Sequence, residues 1–107
     1  MIERGDVYMV SLEVKDSEEL MGPVLVVSPE PFNRVTQKPI VLPITAGEDF
    51  LKMAGFSVTL MEGKTKGIVR CDQPRALDFA IRKAYKVESI SMGLIDEVMA
   101  KVSTIFQ

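Results

Sequence analysis

The stretch PVLVVSPEPFNRVTQKPIVLPIT, Pro23–Thr45, decides how this chain is read. It holds two apolar runs, PVLVVS (Pro23–Ser28) and IVLPIT (Ile40–Thr45), on either side of a polar segment punctuated by prolines. A short, continuous apolar run bounded by turn formers is the pattern of a strand buried on both faces. Pro43 removes a ladder donor from the second run, which points to an edge strand or a bulge there. Between the runs, PEPFNRVTQKP has room for one short helical turn.

The same reading extends in both directions. DVYMVSL (Asp6–Leu12) alternates as a strand, and the charged EVKDSEELMG after it reads as a loop between strands. Downstream, AGFSVTL (Ala54–Leu60) and KGIVRCD (Lys66–Asp72) form two more strands, joined by a turn at MEGKTK. The C-terminus changes period: Ile95, Val98, Val102, Ile105 and Phe106 recur at three- and four-residue spacing. This predicts an amphipathic helix capped near Ser91, with Asp96 and Glu97 in its first turns, where the dipole favours them. The expected fold is mainly β with a C-terminal helix: five or more short strands in a small, strongly bent antiparallel sheet or barrel, plugged by that helix.

At 107 residues the chain is expected to form a single domain, residues 1–107. It is 47% apolar and 26% charged, with no apolar run near the 18–20 residues that span a bilayer. No signal peptide is visible at MIERGDVYMV, and a lone cysteine cannot staple the fold, which suits a reducing cytoplasm. The chain has no histidine, which excludes Ser-His-Asp and Cys-His catalysis and every His-ligated metal site. Carboxylates, arginines, lysines and hydroxyls are left to carry any chemistry. The net charge of −2 is unevenly spread: residues 1–50 carry nine acids and four bases, residues 51–107 six acids and nine bases. The basic excess around Lys64, Lys66, Arg70, Arg75, Arg82, Lys83 and Lys86 is either a seat for a polyanion or a set of solvated charges.

Within that region lies GIVRCDQPRALD, Gly67–Asp78. Strand alternation puts Val69 and Cys71 on one face and Ile68, Arg70 and Asp72 on the other. Cys71 then reads as a small core thiol, with no base at hand to activate it. Arg70 and Asp72 are either a structural ion pair or a pair flanking a phosphate. In the second case Asp72 takes a proton from a ribose 2′-hydroxyl and Arg70 stabilises the charged phosphorane. No metal is required when the nucleophile lies within the substrate.

ERGDVYMVSL, PVLVVSPEPFNRVTQKPIVLPIT, AGFSVTL, GIVRCDQPRALD and VMAKVSTIF occur in the order seen in the MazF/PemK/Kid family of type II toxins, and the chain resembles the Kid/PemK branch over nearly its full length. The resemblance implies a dimeric, SH3-like (MazF/CcdB-type) antiparallel barrel that cleaves single-stranded RNA without metal or cofactor, leaving 2′,3′-cyclic phosphate and 5′-hydroxyl ends, and so inhibits translation and growth. It implies a cognate antitoxin as partner, with operator DNA bound only through the toxin–antitoxin complex. By resemblance Asp72 is the general base and Arg70 the general acid or phosphorane stabiliser. Thr45 and Ala46 lie where the family contacts the scissile region, and Ala54 and Phe56 match the substrate-groove wall. Glu18 follows Ser17 as in one family variant, and Ile68 lines the same groove or simply packs. Phe56 stacks a base, or fills a core or dimer-interface position.

The loop before the second strand departs from the family. DSEELMGPVLVV has Asp16 and Glu19 in place of a glycine and a glutamine, and Gly22 where an arginine precedes Pro23. Loss of one such donor costs on the order of 10²–10³ in rate. The alternative function is therefore a catalytically impaired toxin-fold module that binds antitoxin and co-regulates transcription. A gyrase-directed toxin is a third reading, for which the C-terminus offers only Phe106, assigned by the helical pattern to the core.

Overall fold

The structure, a computed structural model, describes residues 1–12, 20–46 and 55–106. Among them seven strands and two helices alternate along the chain. The order is β1 (Asp6–Leu12), β2 (Leu20–Val26), α1 (Glu30–Thr36), β3 (Ile40–Thr45), β4 (Ser57–Leu60), β5 (Gly67–Arg70), β6 (Arg75–Ala76), β7 (Tyr85–Ser89) and α2 (Met92–Thr104). The strands form one antiparallel sheet in the order β4-β5-β3-β2-β1-β7, with β6 added to β3. No helix among the described residues is long and apolar enough to cross a membrane.

β2 is buried on both faces, as its unbroken apolar run requires. Val24 and Val26 enter one cluster with Val10, Val41, Leu77 and Phe79. Leu25 enters the other, larger cluster with Val7, Leu42, Ile44, Val58, Leu60, Val69 and Cys71. The amphipathic face of α2 closes that larger core through Val98 and Val102. Successive residues of one strand thus serve two cores, the consequence of a period of two in a sheet that curves around one of them.

Four details differ from the sequence reading. β2 begins at Leu20, so Gly22 is a strand residue opposite Val10 and not part of a loop; pairing with β1 draws the apolar Leu20 and Met21 into the ladder. β3 is an interior strand. Its outer side pairs with β6 at Ile40 and Val41 and with β5 at Ile44 and Thr45, and Pro43 falls in the gap between those two pairings. Asp96 and Glu97 lie beyond the first turn of α2, which holds no acidic residue, although Ser91 caps the helix as expected by accepting from the Leu94 amide at 3.3 Å. Phe106 follows the end of α2 and is 74% exposed, so it is not a core residue: the helix stops at Thr104, two residues before it, and the helical face does not extend to it.

Two polar clusters fix the remaining connections. Asn33 of α1 is buried; its amide donates to the carbonyls of Ile2 (2.8 Å) and Ser28 (3.0 Å), and its Oδ1 accepts from the Ser28 hydroxyl. The Ser28 hydroxyl in turn accepts from the Ile40 amide at 2.8 Å, so N-terminus, β2, α1 and β3 are tied at one point. The outermost strands of the sheet, β4 and β7, are linked by Glu88 of β7. Its carboxylate accepts from the amides of Lys64 (3.2 Å) and Thr65 (2.5 Å) in the turn between β4 and β5. This side chain bridges the two ends of the sheet where, among the described residues, no strand pairing does so.

Candidate active site

β5 lies between β4 and β3, and its register sorts the side chains by face. Val69 stands opposite Ile44 and Val58, all three in the larger core. Ile68 stands opposite Thr45 and Thr59, and Arg70 opposite Ser57, on the other face. Gly67 lets β5 approach this closely. A Cβ there would stand 2.7 Å from the Thr45 carbonyl oxygen, at a φ of +155°.

β5 stops at Arg70, two residues short of the strand read from the sequence. The Cys71 amide donates to the Phe56 carbonyl at 2.9 Å, and the Gln73 amide then reaches back to the Arg70 carbonyl at 3.3 Å. Cys71 and Asp72 are thus the central residues of a turn. Asp72 meets Arg70 because the chain folds back, not because two strand residues share a face. The contact is bidentate: Arg70 Nε donates to Asp72 Oδ1 at 3.0 Å and Nη2 to Oδ2 at 2.9 Å. The Arg70 side chain is 18% exposed and that of Asp72 37% exposed, so the pair is open to a ligand from solvent.

Each partner fixes the other's charge. Hydrogen bonds from Arg70 hold the Asp72 carboxyl below its ordinary value, with its own backbone amide and the Arg70 charge adding to this and partial desolvation opposing it. The same hydrogen bond raises Arg70 further, with desolvation opposing it and the Asp72 charge adding to it. Cys71 is fully buried, and burial pushes its thiol up to about 11, so it is a core residue and not a nucleophile.

The other expected site residues fall around this pair in part. Thr45 ends β3, half-buried in the row with Ile68, and Ala46 beside it is exposed. Ile68 is 4% exposed, so it packs and does not present an open surface. Phe56 is 36% exposed, and its carbonyl anchors the turn that carries Asp72. Glu18 and Ala54 lie outside the described residues. Ser57, itself buried, and exposed Thr59 share the outer face with Arg70 and are not named by the sequence reading; their alternation with the apolar Val58 and Leu60 is the signal available. A separate apolar groove of about 540 Å³ is lined by Phe32, Ile40, Pro74, Met99, Val102 and Phe106, with Arg4 and Arg75.

The model of the family described as PemK-like, MazF-like toxin of type II toxin-antitoxin system matches residues 3–106. The chain belongs to this toxin family. It is 43% identical over 109 residues to endoribonuclease PemK of Escherichia coli, covering 97% of this chain and 81% of that protein. It is 32% identical to the endoribonuclease toxin ChpB of Escherichia coli strain K12, covering 98% of this chain and 94% of that protein. Among solved structures, a MazE–MazF complex from Deinococcus radiodurans superposes with a TM-score of 0.87 at 24% identity, over 98% of this chain and 95% of the other. An endoribonuclease in complex with its cognate antitoxin from Mycobacterial species gives 0.79 at 18% identity, over 99% and 95%. At those identities the structural matches speak for the toxin-family fold, in keeping with a mostly antiparallel sheet and a C-terminal helix.

Proposed function

We propose that this toxin is a metal-independent endoribonuclease that cuts single-stranded RNA, mRNA included, to 2′,3′-cyclic phosphate and 5′-hydroxyl ends, inhibiting translation and growth. The observation that carries this reading is the bidentate Arg70–Asp72 pair, half-open to solvent at the end of β5. The relatives PemK and ChpB, both named endoribonucleases, support it.

Both Asp72 oxygens accept from Arg70. A phosphodiester competes for the guanidinium, since an arginine fork fits phosphate as well as carboxylate. As Arg70 turns to the phosphate, Asp72 loses the hydrogen bonds that depress its basicity and becomes a better acceptor for the ribose 2′-proton. The 2′-oxygen then attacks phosphorus, Arg70 stabilises the charge on the phosphorane oxygens, and the bond to the 5′-oxygen breaks, with that oxygen taking a proton from water while the proton on Asp72 returns to solvent. An arginine raised by its neighbour is a poor proton donor, so charge stabilisation is the role its state supports better than general acid. Thr45, Ala46 and Phe56, with Glu18 and Ala54, are proposed to frame the substrate, whereas Ile68 takes the packing role of its two readings.

The proposed setting is cytoplasmic: a single-domain homodimer neutralised by a cognate antitoxin, meeting operator DNA only in that complex. A second copy covering the groove at Phe32 and Phe106 would remove its apolar surface from water. The MazE–MazF and mycobacterial complexes support an antitoxin partner. The competing reading, a module impaired by Gly22 and the altered loop, keeps antitoxin binding without cleavage. Expression in a bacterial host separates the two. Growth arrest that a co-expressed antitoxin relieves, with new RNA 5′ ends seen by primer extension, is the expected result; unaffected growth and intact transcripts would sink the enzymatic reading.

A further inference from the structure

The β4–β5 hairpin that carries Arg70 is gripped at both ends by charged side chains from other elements. At the turn, the amides of Lys64 and Thr65 point at the Glu88 carboxylate of β7. Consecutive amides aimed at one anion form a small backbone seat for it. Gly63 is shaped to this arrangement, with φ +82° and a Cβ position only 2.4 Å from Glu88 Oε1. Lys64 is the charged group that faces the carboxylate from the hairpin.

At the open end, Lys101 of α2 donates from Nζ to the Ser57 carbonyl at 2.8 Å, with Glu97 one turn earlier at 3.8 Å. Ser57 is the β4 residue directly opposite Arg70. Because Phe56 and Cys71 exchange a hydrogen bond, the next pair, Ser57 and Arg70, is the non-bonded kind, and the Ser57 carbonyl turns toward the free edge of β4. Lys101 meets it there. β4 has β5 as its one strand neighbour among the described residues, so its outer edge depends on such contacts.

We infer that Glu88 and Lys101 are positioning residues for Arg70, two straps that hold the hairpin in one orientation on the sheet. Neither touches the reacting atoms. A short edge hairpin belongs to the easily opened part of a domain, and small displacements of a reacting group cost rate steeply. The inference rests on the reading of Arg70 and Asp72 as the reacting pair.

The test uses Lys101→Met, Lys101→Arg, Glu88→Ala and Glu88→Gln in the full chain. Native-state hydrogen exchange, the Arg70 Nε–H resonance, and kcat and KM on a mixed-sequence RNA oligonucleotide are read for each. In Glu88→Ala the Lys64 and Thr65 amides are expected to exchange at least about tenfold faster while the Leu42 amide is unchanged, with Glu88→Gln in between. In Lys101→Met the Arg70 Nε–H signal, held by Asp72 in the native protein, is expected to broaden or vanish. There kcat is expected to fall roughly tenfold or more with KM within about twofold, and Lys101→Arg to restore it. Hairpin exchange and an Arg70 signal as in the native protein overturn the inference; so does a Leu42 amide that accelerates in step, which assigns a general stabilising role. The resonance arm needs no RNA, so a native protein that cuts nothing tells against the enzymatic reading alone.

Discussion

Arg70 and Asp72 are joined by two parallel hydrogen bonds of 3.0 and 2.9 Å across a turn in which Cys71, the residue between them, is fully buried. The buried thiol pins the middle of the turn in the larger core and leaves its charged flanks outside. An anion can reach both groups together.

Removal of either partner separates activity from stability. A solvent-accessible ion pair contributes about 0–1 kcal/mol to folding. Asp72→Asn is therefore expected to leave the urea midpoint nearly unchanged while lowering RNA cleavage by about 10²–10⁴. Arg70→Ala should lose a comparable factor through the phosphorane charge. Parallel denaturation and single-turnover measurements check this; an Asp72→Asn protein that cuts normally contradicts it.

The charge state of Asp72 sets the acid limit of the reaction. Its folded value lies below the ordinary 3.8, so the carboxylate stays ionised throughout the neutral range. The acid limb of kcat/KM is expected below pH 3.8 and not near 6 or 7, where a histidine would place it. Its location is read from a pH–rate profile over the range in which the protein remains folded.

Glu88 gives stability its own pH dependence. A side-chain hydrogen bond from Thr65 holds its carboxyl below the ordinary 4.5 in the folded state, with the Lys64 and Thr65 amides and the Lys64 charge adding to this and partial desolvation opposing it. Its contribution is present above the unfolded value and is lost as pH falls through the lower folded one. Urea unfolding of the native protein and Glu88→Gln should differ at pH 7 and converge toward pH 3. A constant difference across that range would count against the hydrogen-bonded carboxylate.

Cys71 should resist alkylation. With no exposed surface and a thiol pushed up to about 11, it is expected to react with iodoacetamide at pH 8 only when the chain unfolds. Labelling followed by mass spectrometry, with and without urea, reads this out.

Two packing substitutions probe the frame. Leu42→Ala opens a cavity at a fully buried position and is expected to cost about 2–5 kcal/mol. Gly67→Ala sets a methyl against the Thr45 carbonyl and should push β5 away from β3. For that variant the sharper readout is a rate loss exceeding the stability loss, since the displaced strand ends at Arg70.

The strands that supply the core were legible because burial on both faces leaves an unbroken apolar run, as in Val24–Val27, and the α2 face was legible from its spacing. β7 was not, since Tyr85–Ser89 has two charged residues in five and owes its strand state to pairing with β1 and to Glu88 reaching the turn. The Arg70–Asp72 pair was legible as residue types, but not its geometry. Alternation placed Asp72 on the strand, whereas the Phe56 carbonyl and the Gln73 amide bend the chain into a turn. Lys101 gave no sequence signal, because its target is a backbone carbonyl 44 residues away.

The most direct measurement is cleavage of a defined single-stranded RNA by the purified protein in EDTA, with mapping of both new ends, beside Asp72→Asn. The expected result is 2′,3′-cyclic phosphate and 5′-hydroxyl ends from the native protein and almost none from the variant. Intact RNA after hours at micromolar protein, ends of the opposite polarity, or equal cleavage by Asp72→Asn would contradict the role given to Arg70 and Asp72.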